Sequence, residues 1–313
     1  MNGVVIKSTG SWYLVRTEGA SVYKCRIRGK FRLEGIKSTN PVSVGDQVDF
    51  DLEPKKETGV IAKIHERRNY IVRKSVNLSK QSHIIASNID RAFLLITIDN
   101  PPTSTSFIDR FLVAAEAYHI PVTLLFNKVD THSDEIAEIK EELCDIYTKI
   151  GYHCMEVSAK KGKNLDAVKA LMQDKVSLFS GHSGVGKSTL VNAVEPGLNL
   201  KTLEISEQHQ QGQHSTTFAE MHPLSFGGFI IDTPGIKGFG MVDFEKEEIS
   251  GCFPEFFKLK QDCKFHNCMH IDEPKCAVKL GLEADRIAPS RYFSYLQIVK
   301  GEEEHFRQDI YGA

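Results

Sequence analysis

The sequence lacks any apolar run that could cross a bilayer. A spanning helix needs about 20 consecutive apolar residues, and the longest apolar stretch here, Ala92–Ile98, is strand-sized. The N-terminal segment MNGVVIKSTG also lacks the long apolar segment of a secretory signal. A cytoplasmic protein without membrane contact is therefore expected. Cysteine is scarce and odd in number, 7 in 313 residues, which argues against a disulfide framework and for reduced thiols or a metal site. Internal repeats and low-complexity tracts are absent. A large excess of one charge is missing too, since the formal net charge is −2. That balance hides an asymmetry. Residues 1–68 carry 13 Lys and Arg against 8 Asp and Glu, a net +5, whereas residues 241–313 carry 10 against 14, a net −4. The basic end is the better candidate for touching a polyanion.

What is present is ample core material, with 41% hydrophobic residues, and a length that suggests two or three units at about 100–200 residues per domain. Residues 1–68 read as all-β, with short β-rich runs at Gly3–Ser8, Trp12–Thr17, Val22–Gly29, Val44–Asp51 and Gly59–His65. Five short strands predict a small barrel, with the oligonucleotide-binding (OB) fold as the leading choice. Lys24, Arg26, Arg28, Lys30 and Arg32 alternate with Tyr23, Cys25, Ile27, Gly29 and Phe31. A period of two puts the cations on one face, either as the solvated side of a barrel strand or as a row following a nucleic-acid backbone.

Residues 69–240 change to alternating elements. Strands are predicted at Arg91–Ile98, Val122–Phe126, Tyr152–Val157, Val176–Ser180 and Phe229–Ile231, and helices at Phe107–Tyr118, Asp134–Ile150, Leu165–Leu171 and Lys187–Val194. This alternation implies a mainly parallel sheet covered on both faces. Residues 241–313 hold four of the seven cysteines and read as helical around a metal knuckle, with Phe253, Phe256, Phe257, Tyr292, Phe293 and Tyr295 as its core. The chain as a whole is a multidomain α+β protein.

The chemistry is concentrated in five short segments. Gly181, His182, Ser183, Gly184, Val185, Gly186, Lys187 and Ser188, followed by Thr189, fit the phosphate-binding loop G-x-x-x-x-G-K-S between a strand and a helix. Its glycines let backbone N–H groups face the phosphates, Lys187 reaches the β and γ oxygens, and the Ser188 hydroxyl coordinates Mg²⁺. Asn127, Lys128, Val129 and Asp130 follow another strand. A carboxylate at Asp130 can accept both N1–H and N2–H₂ of guanine, a donor pair that adenine does not present. Ser158, Ala159 and Lys160 follow a third strand, where the Ala159 N–H can meet guanine O6. Asp232 and Gly235, in D-T-P-G, can hold Mg²⁺ through water and sense the γ-phosphate. The polar segment Gly212–Thr217 suits a switch, with Thr216 as the second Mg²⁺ hydroxyl and Thr217 as the alternative.

The order is base, base, phosphate, switch, switch, whereas Ras-like GTPases place the phosphate and switch elements first. The same sheet survives when the termini move to another loop. A last cluster, Cys263, Cys268, His270 and Cys276, suits tetrahedral zinc in a closed structural site, with His266 and Cys252 as possible replacements for one ligand.

These motifs, their order, the basic β-rich start and Ile108-Asp109-Arg110 resemble the circularly permuted ribosome small-subunit-dependent GTPase A family, RsgA or YjeQ. The resemblance spans nearly the whole chain. It implies an OB barrel at 1–68 that binds rRNA, a permuted GTPase domain at 69–240 and a zinc-binding domain at 241–313. It also implies GTP hydrolysis stimulated by the small ribosomal subunit in that subunit's late maturation, and Cys263, Cys268, His270 and Cys276 as the zinc ligands.

Where Ras places a water-orienting glutamine after D-x-x-G, this chain has Ile236. Slow intrinsic turnover is therefore expected, with His214 as the candidate that supplies the missing water contact beside Lys187. The second switch runs directly into the zinc-bearing unit, so nucleotide state is expected to set how that unit is held. A monomer is expected. Two other classes remain open on the residues: an RNA-binding assembly factor that uses GTP only as a conformational sensor, for which Ile236 leaves room, and an ATP-dependent enzyme, against which Asn127 and Asp130 count.

Overall fold

The computed structural model describes residues 1–27, 41–54, 56–74, 82–198, 219–232 and 245–301. Strands β1 (Asn2–Ser8), β2 (Tyr13–Arg16), β3 (Val22–Ile27), β4 (Gln47–Leu52) and β5 (Thr58–Ile64) make the N-terminal unit. They run in the order β1-β2-β3-β5-β4, and β4 pairs back onto β1, so the sheet closes as a barrel without free edges. The alternation expected along β3 is real: Cys25 is buried with Val5, Val15, Phe50 and Ile61, while Lys24 and Arg26 face solvent. Burial pushes the Cys25 thiol up to about 11, which keeps it protonated and inert at neutral pH.

A hairpin of β6 (Tyr70–Lys74) and β7 (Ser82–Ser87) follows, joined to the barrel by a bridge between Val44 and Ala86. Beside that bridge lies a buried ionic knot. Arg67 donates through Nε and Nη2 to the two oxygens of Asp46, each at 2.6 Å, and the Ser87 hydroxyl donates to the same carboxylate. Their side chains are 6% and 0% exposed. Removing one partner of such a pair strands a charge, so Arg67→Ala is expected to destabilise the protein by about 3–5 kcal/mol. Chemical denaturation checks this; a loss below about 1 kcal/mol, ordinary for a surface position, would contradict it.

The central sheet contains β8 (Arg91–Ile96), β9 (Val122–Phe126), β10 (His153–Glu156), β11 (Val176–Ser180), β12 (Glu220–Pro223) and β13 (Phe229–Asp232). The order β10-β9-β8-β11-β13 is parallel throughout, and β12 adds antiparallel to β13. Helices α1 (Thr105–Ala117), α2 (Asp134–Ile150), α3 (Leu165–Met172) and α4 (Lys187–Val194) cover it. Leu94 and Ile96 on one face pack with Leu112 and Tyr147, while Phe93 and Leu95 on the other pack with Met172 and Leu190. Helix α2 starts where the Ser133 hydroxyl accepts from the Ile136 N–H, and stops at Gly151 with φ of 120°. β12 also meets β1 at Lys7 and Glu220, whose side chains form an ion pair at 2.8 Å. The barrel and the central sheet are thus one hydrogen-bonded array.

The C-terminal unit is helical, with α5 (Lys246–Ile249), α6 (Pro254–Leu259), α7 (Ala277–Glu283) and α8 (Pro289–Lys300). Buried Arg291 on α8 donates to Asp109 on α1 and to Glu255 on α6, each at 2.7 Å, and the Tyr147 hydroxyl donates to Asp109. Phe253, Phe256 and Tyr295 form the expected core, and Tyr292 packs against it, but Phe257 and Phe293 are each 58% exposed. Those two were expected inside. Each directly follows an inward-facing residue on its helix and so turns about 100° away from the core. Among the described residues, no helix is long and apolar enough to cross a membrane.

Candidate functional site

Four motif-bearing strands are parallel, so their C-terminal ends share one edge of the sheet, the edge where ligands bind in open α/β sheets. β9 leads into Asn127–Asp130, β10 into Ser158–Lys160, β11 into the loop from Gly181, and β13 ends at Asp232.

One side chain ties three of these segments together. Asn127, 2% exposed, donates through Nδ2 to the Val185 carbonyl of the phosphate loop at 2.8 Å, and its Oδ1 accepts from the Ala159 N–H at 3.3 Å. The base and phosphate motifs therefore border one cleft. Gly186 shows how closely they approach: it has φ of 90°, and a Cβ there would lie 2.6 Å from Asn127 Nδ2. Gly181 is constrained as well, since its Cβ would meet Val185 Cγ2 at 2.8 Å.

Asp130 is exposed and accepts from the buried Ser158 hydroxyl at 2.5 Å. That hydrogen bond holds its carboxyl below the usual carboxylate range, so it is anionic at neutral pH. Lys128 has φ of 64° and donates to the Asn100 carbonyl, in the loop after β8. Burial holds its ammonium below the ordinary lysine value. Lys187 and Ser188 occupy the first turn of α4, where unpaired backbone N–H groups and the helix dipole favour an anion.

Several expected residues fall elsewhere. His214, Thr216 and Gly235 lie outside the described residues, as do Arg28, Lys30 and Arg32, and of Asp232 only the backbone is described. On β3, Lys24 Nζ sits 4.5 Å from the Trp12 ring, while Arg26 pairs with Glu53 at 2.6 Å. An intramolecular carboxylate thus partly balances one member of the basic row.

The donor atoms of Cys263, Cys268, His270 and Cys276 lie within 4.8 Å of one another. His270 Nδ1 is 3.3 Å from the Cys276 sulfur and 3.7 Å from that of Cys263, which makes Nδ1 the nitrogen facing the thiols. Backbone N–H groups of Ala277 and Lys279 donate to the Cys263 and Cys276 sulfurs, as suits thiolates. Cys252 and His266 are not in the cluster. Burial pushes the Cys268 thiol up to about 12 and raises that of Cys276. Metal binding must then release protons, and affinity falls as pH falls. Three sulfurs and an imidazole, drawn together and sealed by packing, could hold a zinc ion.

Sequence reasoning missed the loop after β8. Asn100 receives Lys128, and Thr103 contacts His182 at 2.7 Å. The loop carries no recognisable motif; the order of strands alone, with β8 between β9 and β11, places it in the cleft.

Comparisons with known proteins match this architecture. The family model described as the RsgA GTPase matches residues 64–242, and that of the RsgA N-terminal domain matches residues 2–61. The small ribosomal subunit biogenesis GTPase RsgA of Christiangramia forsetii is 66% identical over 99% of both chains. Its namesake in Flavobacterium johnsoniae is 64% identical over 100% of this chain and 97% of its own. The crystal structure of YjeQ from Thermotoga maritima superposes with a TM-score of 0.78 at 33% identity, covering 96% of this chain and 97% of that one. A structure described as YloQ, a circularly permuted GTPase, gives 0.74 at 31% identity over 97% and 95%. With its motifs permuted along the chain yet gathered at one sheet edge, this chain belongs to the RsgA GTPase family.

Proposed function

We propose that this protein hydrolyses GTP during late maturation of the small ribosomal subunit, with turnover stimulated by that subunit. The observation that carries the reading is the Asn127 side chain, hydrogen-bonded to both the phosphate loop and the base-recognition loop. One guanine nucleotide can span the two. In this reading Asp130, Ser158, Ala159 and Lys160 select guanine, with Lys128 and Val129 beside the base. The loop from Gly181 to Thr189 holds the phosphates, and Lys187 stabilises charge that develops on the β and γ oxygens. Ser188 and Thr216 bind Mg²⁺, Asp232 binds it through water, and Gly235 senses the γ-phosphate.

His214 supplies the water contact that Ile236 cannot make. In that role, a His214→Ala variant keeps nucleotide affinity and loses stimulated turnover. The thiol cluster holds one structural zinc ion, and the basic barrel face meets rRNA through Lys24, Arg26, Arg28, Lys30 and Arg32. The same reading divides the chain into units at 1–68, 69–240 and 241–313, and makes the protein a cytoplasmic monomer.

The test measures GTP turnover with and without purified small subunits, using total RNA as the control. Stimulation by small subunits but not by total RNA supports the reading. Nucleotide binding without turnover under either condition would instead favour an assembly factor that uses GTP as a sensor, the class for which Ile236 leaves room.

A further inference from the structure

The His182 side chain makes contacts that phosphate binding by the loop's backbone does not require. His182 Nδ1 lies 3.0 Å from the Ser183 carbonyl oxygen, and Nε2 lies 2.7 Å from the Thr103 hydroxyl. Phe107 meets the ring edge-on, with centroids 5.6 Å apart. A carbonyl can only accept, so Nδ1 must carry the hydrogen. Burial and the nearby Lys128 ammonium hold the imidazole below its ordinary value, and the ring is neutral at pH 7. Nε2 is then an acceptor, and the Thr103 hydroxyl donates to it while accepting from the Thr97 N–H at 3.0 Å. A directed chain runs from the end of β8 through Thr103 and the ring to the Ser183 carbonyl.

The peptide joining Ser183 to Gly184 is planar and trans, so its C=O and N–H point in opposite directions. Holding the carbonyl against the ring therefore fixes where the Gly184 N–H points. Gly184 and Gly186 have φ of 83° and 90°, the left-handed conformation from which anion-binding nests of backbone N–H groups are built.

We infer that the His182 side chain is a positioning residue. It locks the 183–184 peptide so that the Gly184 N–H is presented to the nucleotide phosphates, and it ties the loop to Thr103. The inference rests on the GTPase reading. It adds a side-chain brace to a loop otherwise understood through its backbone.

The test compares wild type with His182→Ala and His182→Asn. It uses calorimetric binding of GDP and GTP, the ³¹P resonance of the β-phosphate of bound GDP, and ¹⁵N spectra of the wild-type imidazole. The Ala variant is expected to bind both nucleotides about tenfold more weakly, the loss of one modest hydrogen bond, and to shift the β-phosphate resonance. The preference for guanine over adenine stays unchanged, because the base pocket is not touched. Asparagine places an amide N–H near the position of Nδ1 and restores most of the affinity and the resonance.

Unchanged affinity and ³¹P shift in the Ala variant would overturn the inference, as would equal losses in both variants. An Nε2–H tautomer, or a protonated ring at pH 7, in the wild-type spectra would overturn it even if neither variant folded. Failure of the wild-type protein to bind guanine nucleotides would be a different result, counting against the GTPase reading itself.

Discussion

Replacing Asp130 with asparagine is expected to weaken GTP binding by roughly 10²- to 10⁴-fold while improving the binding of xanthosine triphosphate. In the proposed site the carboxylate accepts two hydrogen bonds from guanine, from N1–H and from the exocyclic amine. Each bond to a charged acceptor contributes about 1.5–3 kcal/mol; asparagine strips the charge from one and replaces the other with two opposed N–H groups, which sets the range at about 1.4 kcal/mol per decade. An amide offers one acceptor and one donor. That pair leaves the guanine amine facing an N–H, but it suits xanthine, which carries a carbonyl where guanine carries the amine. Asparagine is close in size to aspartate and keeps an oxygen to accept from the Ser158 hydroxyl, which now donates to Asp130 at 2.5 Å. The local loop should therefore survive the change. Competition binding with GTP, XTP and ATP reads the result. GTP affinity within threefold of wild type would remove Asp130 from base recognition.

Removing metal from the proposed zinc site at Cys263, Cys268, His270 and Cys276 should unfold the C-terminal unit without abolishing nucleotide binding. A structural zinc ion contributes about 10–16 kcal/mol of apparent binding energy in small metal-dependent folds, comparable to the whole stability of a typical domain at about 5–15 kcal/mol. Chelation, or Cys276→Ser, is thus expected to do more than loosen the unit. Cys268 and Cys276 belong to the same buried cluster as Phe253, Phe256 and Tyr295, so the ligands are part of its core. Helix α1 contributes Val113 to that cluster and pairs Asp109 with Arg291. Unfolding of the unit then bares an apolar patch of α1, and solubility should fall. Metal analysis, with hydrogen exchange across residues 245–301, checks this. Near-complete loss of zinc with protection retained there would mean that the four side chains meet for packing alone.

The parts of the fold legible in the sequence were those specified locally. Helix α2 has a serine cap, acidic residues in its first turn and a glycine just past its end, and its bounds match the reading at Asp134–Ile150. β9, β11 and α4 match as well, because Pro121 before β9, Gly181 after β11 and Gly186 before α4 punctuate short apolar runs. The clefted arrangement of Asn127, Asp130, Ser158 and the phosphate loop followed from the rule that parallel strands present their C-terminal ends together. The barrel's five strands were legible by period, and on β3 the alternation holds across Val22–Ile27.

The remainder depends on distant partners. Arg291 and Asp109 are 182 positions apart, and Lys7 meets Glu220 across 213. Neither segment of such a pair carries a sign of the other. The β6–β7 hairpin and β12 were passed over for a related reason: each is short, and each is stabilised by the strand beside it more than by its own residues. The brace at Thr103 and His182 was hidden because it arises from the order of the strands.

The most direct test of the account is a structure of the protein with a non-hydrolysable GTP analogue and Mg²⁺. The predicted result is a single nucleotide whose guanine edge meets the Asp130 carboxylate and whose β-phosphate lies among the N–H groups of residues 181–188. An analogue bound with its base away from Asp130 while its phosphates fill that loop would contradict it.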